Sequence, residues 1–192
     1  MKESEAIFMG TPKREEGRPP GSGGERMGES VIQGRCWTYG DNINTDLICP
    51  AKYMELPQAE ISKHAMEGID PEFPSKVSPG DIIVGGWNFG SGSSRETAPL
   101  ALKGCRVGAV IARSFARIFF RNSINIGLPV IECPSIDLVR AEDILEIHLS
   151  SGRIVNLTRG EVYESNPLPE HILRLMDSGG LLPYLLARTA KD

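Results

Sequence analysis

The chain of 192 residues carries 21 Lys or Arg against 25 Asp or Glu, a formal charge of −4 with a pI near 5.5, and is 40% apolar. This is the length of one ordinary domain able to bury a core without disulfide or zinc staples, and its acidic balance excludes binding nucleic acid by phosphate neutralisation. No run of about 18 apolar residues offers a membrane span, and the four cysteines, Cys36, Cys49, Cys105 and Cys133, form no C-x-x-C pair and follow no signal peptide, which points to reduced thiols in a cytoplasmic setting.

Residues 1–30 hold six Gly, three Pro, five basic and six acidic residues but only six apolar ones. So few cannot offset the entropy cost of ordering, and a disordered extension is expected ahead of a domain over residues 31–192. Met27 stands directly before the first patterned segment, so residues 1–26 read as dispensable. Short β-rich runs then alternate with helical ones, the pattern of an α/β domain. Ile32–Tyr39 and Asp81–Trp87 read as strands and Val107–Ala112 as a buried one. Ser114–Ile126 has apolar residues at helical spacing and is closed by Gly127, after which Leu128–Glu132 returns as a strand. Ile144–Ser150 and Arg153–Thr158 alternate around Ser151-Gly152, a hairpin signal. Pro169 opens a last helix, through His171 to Met176, that Gly179-Gly180 stops.

The strongest local signal runs from Gly85 to Glu96, a strand entering a glycine-rich turn and then a helix that begins between Ser93 and Ala98. Backbone N–H groups and the positive end of a helix converge there, an arrangement suited to an anion. Ser93 and Glu96 also have the S-x-x-E spacing of a capping box, which would make the serine a helix cap. Pro99 conflicts with a helix starting at Ser93, because its ring would meet the Arg95 carbonyl. The letters do not fit a P-loop, a dinucleotide fingerprint or a G-x-S-x-G elbow. A second polar segment, Gly40 to Pro50, reads as an Asx-turn with a helix cap, and leaves Asp41 and Asp46 as carboxylates either of which suits a site.

Taken together, Asp41-Asn42-Ile43-Asn44-Thr45-Asp46 with Ile48, Pro50, Ala51 and Tyr53, then Asn88 to Glu96 with Ala98-Pro99, then Ser114 to Phe119 with Asn122, Asn125 and Gly127-Leu128-Pro129, resemble the small subunits of 3-isopropylmalate dehydratases. These are the separately encoded swivel domain of the aconitase superfamily, and the likeness extends over about residues 34–189 in the same order. The resemblance implies a single β/β/α swivel domain of the α/β class, supplying half of an active site to a large subunit that holds a [4Fe–4S] cluster. It implies Ser93 as the base that takes a Cα proton, Ser94 and Arg95 as the anchor for a substrate carboxylate, Thr45 as a further substrate-binding residue, and Asp46 in proton handling or hydrogen-bond positioning at the substrate hydroxyl. The four cysteines match none of the family's cluster ligands, so no cofactor or metal is expected on this chain. Two positions depart from the family's pattern: Thr97 stands where His is usual and Ser91 where Cys is frequent.

By the same resemblance Tyr53-Met54-Glu55 lies over the substrate side group, where forms that accept an extra carboxylate carry Arg in place of Glu55. No arginine occurs between Asp46 and Ser94, and Glu55 would repel a third carboxylate, which favours an alkyl-substituted malate. The alternatives are a dimethylmalate or homoaconitate-type dehydratase subunit, or a swivel domain kept as a non-catalytic binding module; intact Ser93, Arg95 and Asp46 oppose the last. Neither a nucleic acid nor a membrane is an expected partner, and self-association of the isolated chain is an open expectation.

Overall fold

The structure, a computed structural model, describes residues 30–190, so the extension expected over residues 1–30 lies outside the described residues except for Ser30. Seven strands form one mixed sheet: β1 (Val31–Thr38), β2 (Ile82–Gly85), β3 (Ala109–Ala112), β4 (Val130–Glu132), β5 (Ile144–His148), β6 (Arg153–Asn156) and β7 (Glu161–Glu164), in the order β4-β3-β2-β1-β5-β6-β7. The strand β1 joins two halves of different character. Its residues Cys36–Thr38 pair parallel to β2, whereas Val31–Arg35 pair antiparallel to β5. Strands β2, β3 and β4 continue the parallel half, and β6 and β7 the antiparallel one.

The parallel half is covered on both faces, which is why its strands read as uninterrupted apolar runs. On one face Ile83, Val110, Ala112 and Val130 pack under helices α4 (Thr97–Gly104) and α5 (Arg117–Ile126). On the other face Ile82, Val84, Ala109 and Ile111 meet Leu145, Ile147, Ile154 and Tyr163 of the antiparallel half, which curls over them. Alternate residues of one strand thus serve two cores, as a side-chain period of two requires. Between β1 and β2 the chain makes three one-turn helices, α1 (Thr45–Ile48), α2 (Gln58–Ile61) and α3 (Phe73–Lys76), with 3-10 turns at Ala51–Tyr53 and Ser62–His64.

Two expectations need correction. Helix α5 begins at Arg117, not Ser114, leaving Ser114–Ala116 as a loop that takes part in the site. Pro169 does precede a helix, α6 (Glu170–Asp177), which ends just before Gly179-Gly180 as expected, but it is not the last, because α7 (Leu181–Thr189) follows. The remaining expected strands are present, each within a few residues of its predicted bounds.

Candidate active site

The carboxyl ends of the parallel strands β1, β2 and β3 release the chain into three loops, the side of an open α/β sheet where ligands bind. These loops carry the three sequence motifs and are bonded to one another. Gly86 N–H donates to the Gly40 carbonyl, Asn42 N–H to Trp87, Gly90 N–H to Ile43 and Thr45 N–H to Ser91, over 2.7–3.1 Å. The third loop joins through Asn88 N–H to Ser114 Oγ, at 2.9 Å, and through Ala116 N–H to the Phe89 carbonyl, also at 2.9 Å. Asn42 and Asn88 both take left-handed backbone, with φ of 56° and 59°, and their side chains bond to each other at 3.1 Å. Gly90 has φ of 76°, and a Cβ there would lie 2.1 Å from the Phe119 ring. Only glycine lets the second loop cross α5 this closely.

The two carboxylates of the first loop separate by role. Asp41 Oδ1 accepts the Trp87 N–H at 2.8 Å and so holds the loops together. Asp46 sits in the first turn of α1, whose cap is Asn44: its side chain accepts the N–H groups of Asp46 and Leu47. The Asp46 carboxylate is 58% exposed and points to Arg95, whose Nη1 donates to Oδ1 at 2.6 Å. Thr45 is buried, and its Oγ1 accepts the Ser93 N–H at 3.2 Å. Arg95 N–H donates to the Ser93 carbonyl at 2.7 Å, so the chain bends at Ser94.

The capping box suggested by Ser93 and Glu96 does not form. Helix α4 starts at Thr97, its cap residue is Glu96, and no side chain bonds to that end. Pro99 becomes the third helical residue, where a backbone N–H would have no intrahelical partner anyway. Ser93 is therefore exposed on the turn leading into the helix and free of a capping duty. Thr97 Oγ1 is buried next to the Cys49 thiol, which burial, more than any neighbouring charge, pushes up.

The structure thus brings Thr45, Asp46, Ser93 and Arg95 into direct contact, with Ser94 at the bend between them. Tyr53, Met54 and Glu55 follow α1 and form no hydrogen bond or ion pair with that group among the described residues. Met54 is 38% exposed and Glu55 lies open to solvent. Tyr53 is engaged elsewhere: its hydroxyl donates to Glu67 Oε1 at 2.7 Å and its ring stacks on His64. Sequence reasoning does not bring out Glu67 and His64, because their partner Tyr53 is more than a turn away and no local pattern links them.

Ligation of an iron–sulfur cluster needs several converging thiolates. Here Cys36 and Cys133 lie in one core, Cys49 in the other, and Cys105 is half-buried. Burial pushes the Cys36 thiol up to about 12 and Cys105 to about 11. No group of three or more His, Cys, Asp or Glu is placed to hold a metal among the described residues. The described residues, with their four cysteines dispersed over two cores, do not fit such a cluster.

A family model for the aconitase C-terminal domain matches residues 40–135, the span that contains all three bonded loops. The isopropylmalate/citramalate isomerase small subunit of Methanocaldococcus jannaschii is 53% identical over 165 residues, covering 85% of this chain and 98% of that one. The 3-isopropylmalate dehydratase small subunit of Nautilia profundicola is 54% identical over 81% of this chain and 94% of its own. This chain belongs to the 3-isopropylmalate dehydratase small subunit family. A solved 3-isopropylmalate dehydratase structure from Methanocaldococcus jannaschii agrees with a TM-score of 0.80 at 42% identity, over 84% of this chain and 96% of that one. The mixed α/β sheet with its curled antiparallel half is accordingly the swivel-domain fold of the aconitase superfamily, as the resemblance implied. As a small subunit in this family the chain is part of a hydro-lyase, and no helix among the described residues is long and apolar enough to cross a membrane.

Proposed function

We propose that this chain supplies the proton-transferring half of an active site that interconverts 3-isopropylmalate and 2-isopropylmalate, by dehydration and rehydration, in leucine biosynthesis. The observation that carries this reading is the placement of an uncommitted, exposed Ser93 between Thr45, which holds its N–H, and the Arg95–Asp46 pair. Ser93 Oγ takes the proton from the carbon next to a carboxylate as the hydroxyl leaves the adjacent carbon. It returns that proton when water adds back with the opposite regiochemistry. A serine oxygen is a poor base in water, so the site must hold positive potential around it, and Arg95 is the cation that this chain brings to the turn carrying Ser93.

Arg95 commits one N–H to Asp46, and its other donors have no partner among the described residues. They form a fork for a substrate carboxylate, with Ser94 beside them. Asp46 is placed to steer the hydroxyl that leaves and returns. The [4Fe–4S] cluster, on the partner large subunit, supplies Lewis acidity toward that hydroxyl. Glu55, and the lack of any arginine between Asp46 and Ser94, favour an alkyl side group over a third carboxylate. The name of the 53% identical relative refers to two alkyl-substituted malates, which supports the same choice. The site opens to solvent on its own, consistent with a partner that closes it, and the reduced thiols suit a cytoplasmic assembly.

Purification of this chain alone and together with its large subunit tests the division of labour. The isolated chain should be colourless and inactive, with turnover of isopropylmalate appearing only in the complex. A brown, cluster-bearing preparation of this chain alone after anaerobic reconstitution contradicts it.

A further inference from the structure

Beside the loops lies a four-residue cluster that the reaction itself does not use. Glu67 is its centre. Its Oε1 accepts the Tyr53 hydroxyl at 2.7 Å and lies 3.6 Å from Lys52 Nζ, while Oε2 meets His64 Nδ1 at 2.5 Å. The His64 and Tyr53 rings stack with centroids 3.6 Å apart and planes 8° from parallel, and Lys52 Nζ sits 4.5 Å over the Tyr53 ring. Glu67 is about one-quarter exposed, and the Tyr53 hydroxyl, ahead of His64 and Lys52, holds its carboxyl below the usual range.

The residues flanking Glu67 are fixed to the reactive loop. Met66 N–H donates to the Ile48 carbonyl at 2.7 Å, at the end of α1. Gly68 approaches the turn that carries Asp46 so closely that a Cβ would lie 2.7 Å from the Asp46 carbonyl oxygen and from Leu47 Cα. The segment His64–Gly68 is therefore tied at its backbone to α1 and at the Glu67 side chain to Tyr53. It braces Tyr53-Met54-Glu55, otherwise a short, solvent-exposed turn with Met54 38% exposed, against the loop holding Asp46.

We infer that Glu67, with His64 stacked beneath Tyr53, is a positioning residue for substrate choice: it fixes the segment Tyr53-Met54-Glu55 over the side group of the substrate relative to Asp46 and Ser93. The inference rests on the reading that this segment faces the side group. Glu67 makes no hydrogen bond or ion pair with Asp46, Ser93 or Arg95, its side-chain partners being Tyr53, His64 and Lys52. Its loss should therefore act through side-group binding and not through proton transfer.

In the complex of both subunits, Glu67→Ala should raise KM for 3-isopropylmalate about fivefold with a smaller change in kcat. It should also lower the preference for 3-isopropylmalate over 3-methylmalate, as a ratio of kcat/KM, by roughly threefold or more. Glu67→Gln keeps an oxygen for the Tyr53 hydroxyl and an N–H for His64, and should restore most of both. Tyr53→Phe should combine with Glu67→Ala non-additively, since each breaks the same contact. Hydrogen exchange of residues 51–57 should speed up in Glu67→Ala and not in Glu67→Gln. Unchanged exchange in Glu67→Ala, with a substrate ratio that Glu55→Arg still shifts, overturns the role of Glu67 and leaves the side-group reading standing. Faster exchange with a ratio that neither Glu67→Ala nor Glu55→Arg moves overturns that reading, and the inference with it.

Discussion

Arg95 and Asp46, 49 residues apart in the chain, meet through a 2.6 Å bond between Nη1 and Oδ1 on the open lip of the site. Each comes from a different motif and a different strand end. The pair therefore exists only once β1 and β2 lie side by side.

Because Asp46 is 58% exposed, this ion pair contributes little to the fold, on the order of 0–1 kcal/mol. Asp46→Asn should shift Tm by no more than about 3 °C, yet lower kcat of the complex by at least tenfold or so. Arg95→Lys keeps the charge but loses the planar fork, and should raise KM about tenfold or more with the same small change in Tm. A large fall in Tm with normal kinetics, by calorimetry and steady-state assay, would assign the pair to structure.

Gly90→Ala should be destabilising by about 2 kcal/mol or more, since it adds a Cβ at a left-handed position against the Phe119 ring. Urea unfolding should show a lower midpoint with an unchanged slope. Gly160 also has positive φ but nothing within 4 Å of an added Cβ, so Gly160→Ala should cost less and separates the two contributions.

The raised thiols of Cys36 and Cys105 favour the neutral form in the folded state. Their contribution to stability is complete below the unfolded value near 9, and is lost as pH rises toward about 11 for Cys105 and about 12 for Cys36. Stability should therefore fall above pH 9, with a slope of at most about 1.4 kcal/mol per pH unit for each thiol. At neutral pH the fully buried Cys36 thiol should react with a disulfide reagent only as fast as the chain unfolds. Rapid labelling of Cys36 in the folded protein, read by mass spectrometry, would contradict this burial.

Glu55→Arg should move the kcat/KM ratio toward homoaconitate-type tricarboxylic acids, exchanging repulsion for a bidentate partner. The unaltered complex should use those acids poorly. Efficient use of them, or a ratio unmoved by the substitution, would mean that Glu55 faces solvent in the complex.

What the sequence makes legible follows from burial and period. The runs that become β2 and β3 are readable because both faces are covered, and Gly127 ends α5 with φ of 75° as a left-handed cap. Strand β7 leaves no such mark: Tyr163 is buried but Val162 is 49% exposed, so no alternation stands out in four residues. Helix α7 escapes because Gly179 and Gly180, with φ of 82° and 127°, look like a terminus, and Leu182, Leu185 and Leu186 are exposed where a core-facing helix would bury them. In the site, Ser93, Asp46 and Arg95 emerge through three motifs in register, since no local pattern connects Thr45 Oγ1 to an N–H 48 residues away. The Ser93–Glu96 spacing is misleading by itself, because Pro99 moves the helix start to Thr97. The link between Tyr53 and Glu67 is invisible for the same reason as the link between Thr45 and Ser93: it is made by folding, not by spacing.

The role of Ser93 as the base is tested most directly by Ser93→Ala in the complex with the large subunit. The side chain is exposed and caps no helix, so assembly and Tm should stay as they are. Turnover of 3-isopropylmalate, and exchange of its Cα proton with solvent deuterium, should both fall by about three orders of magnitude or more, with KM changed little. A fall of less than about tenfold, with proton exchange preserved, would show that another group takes the proton.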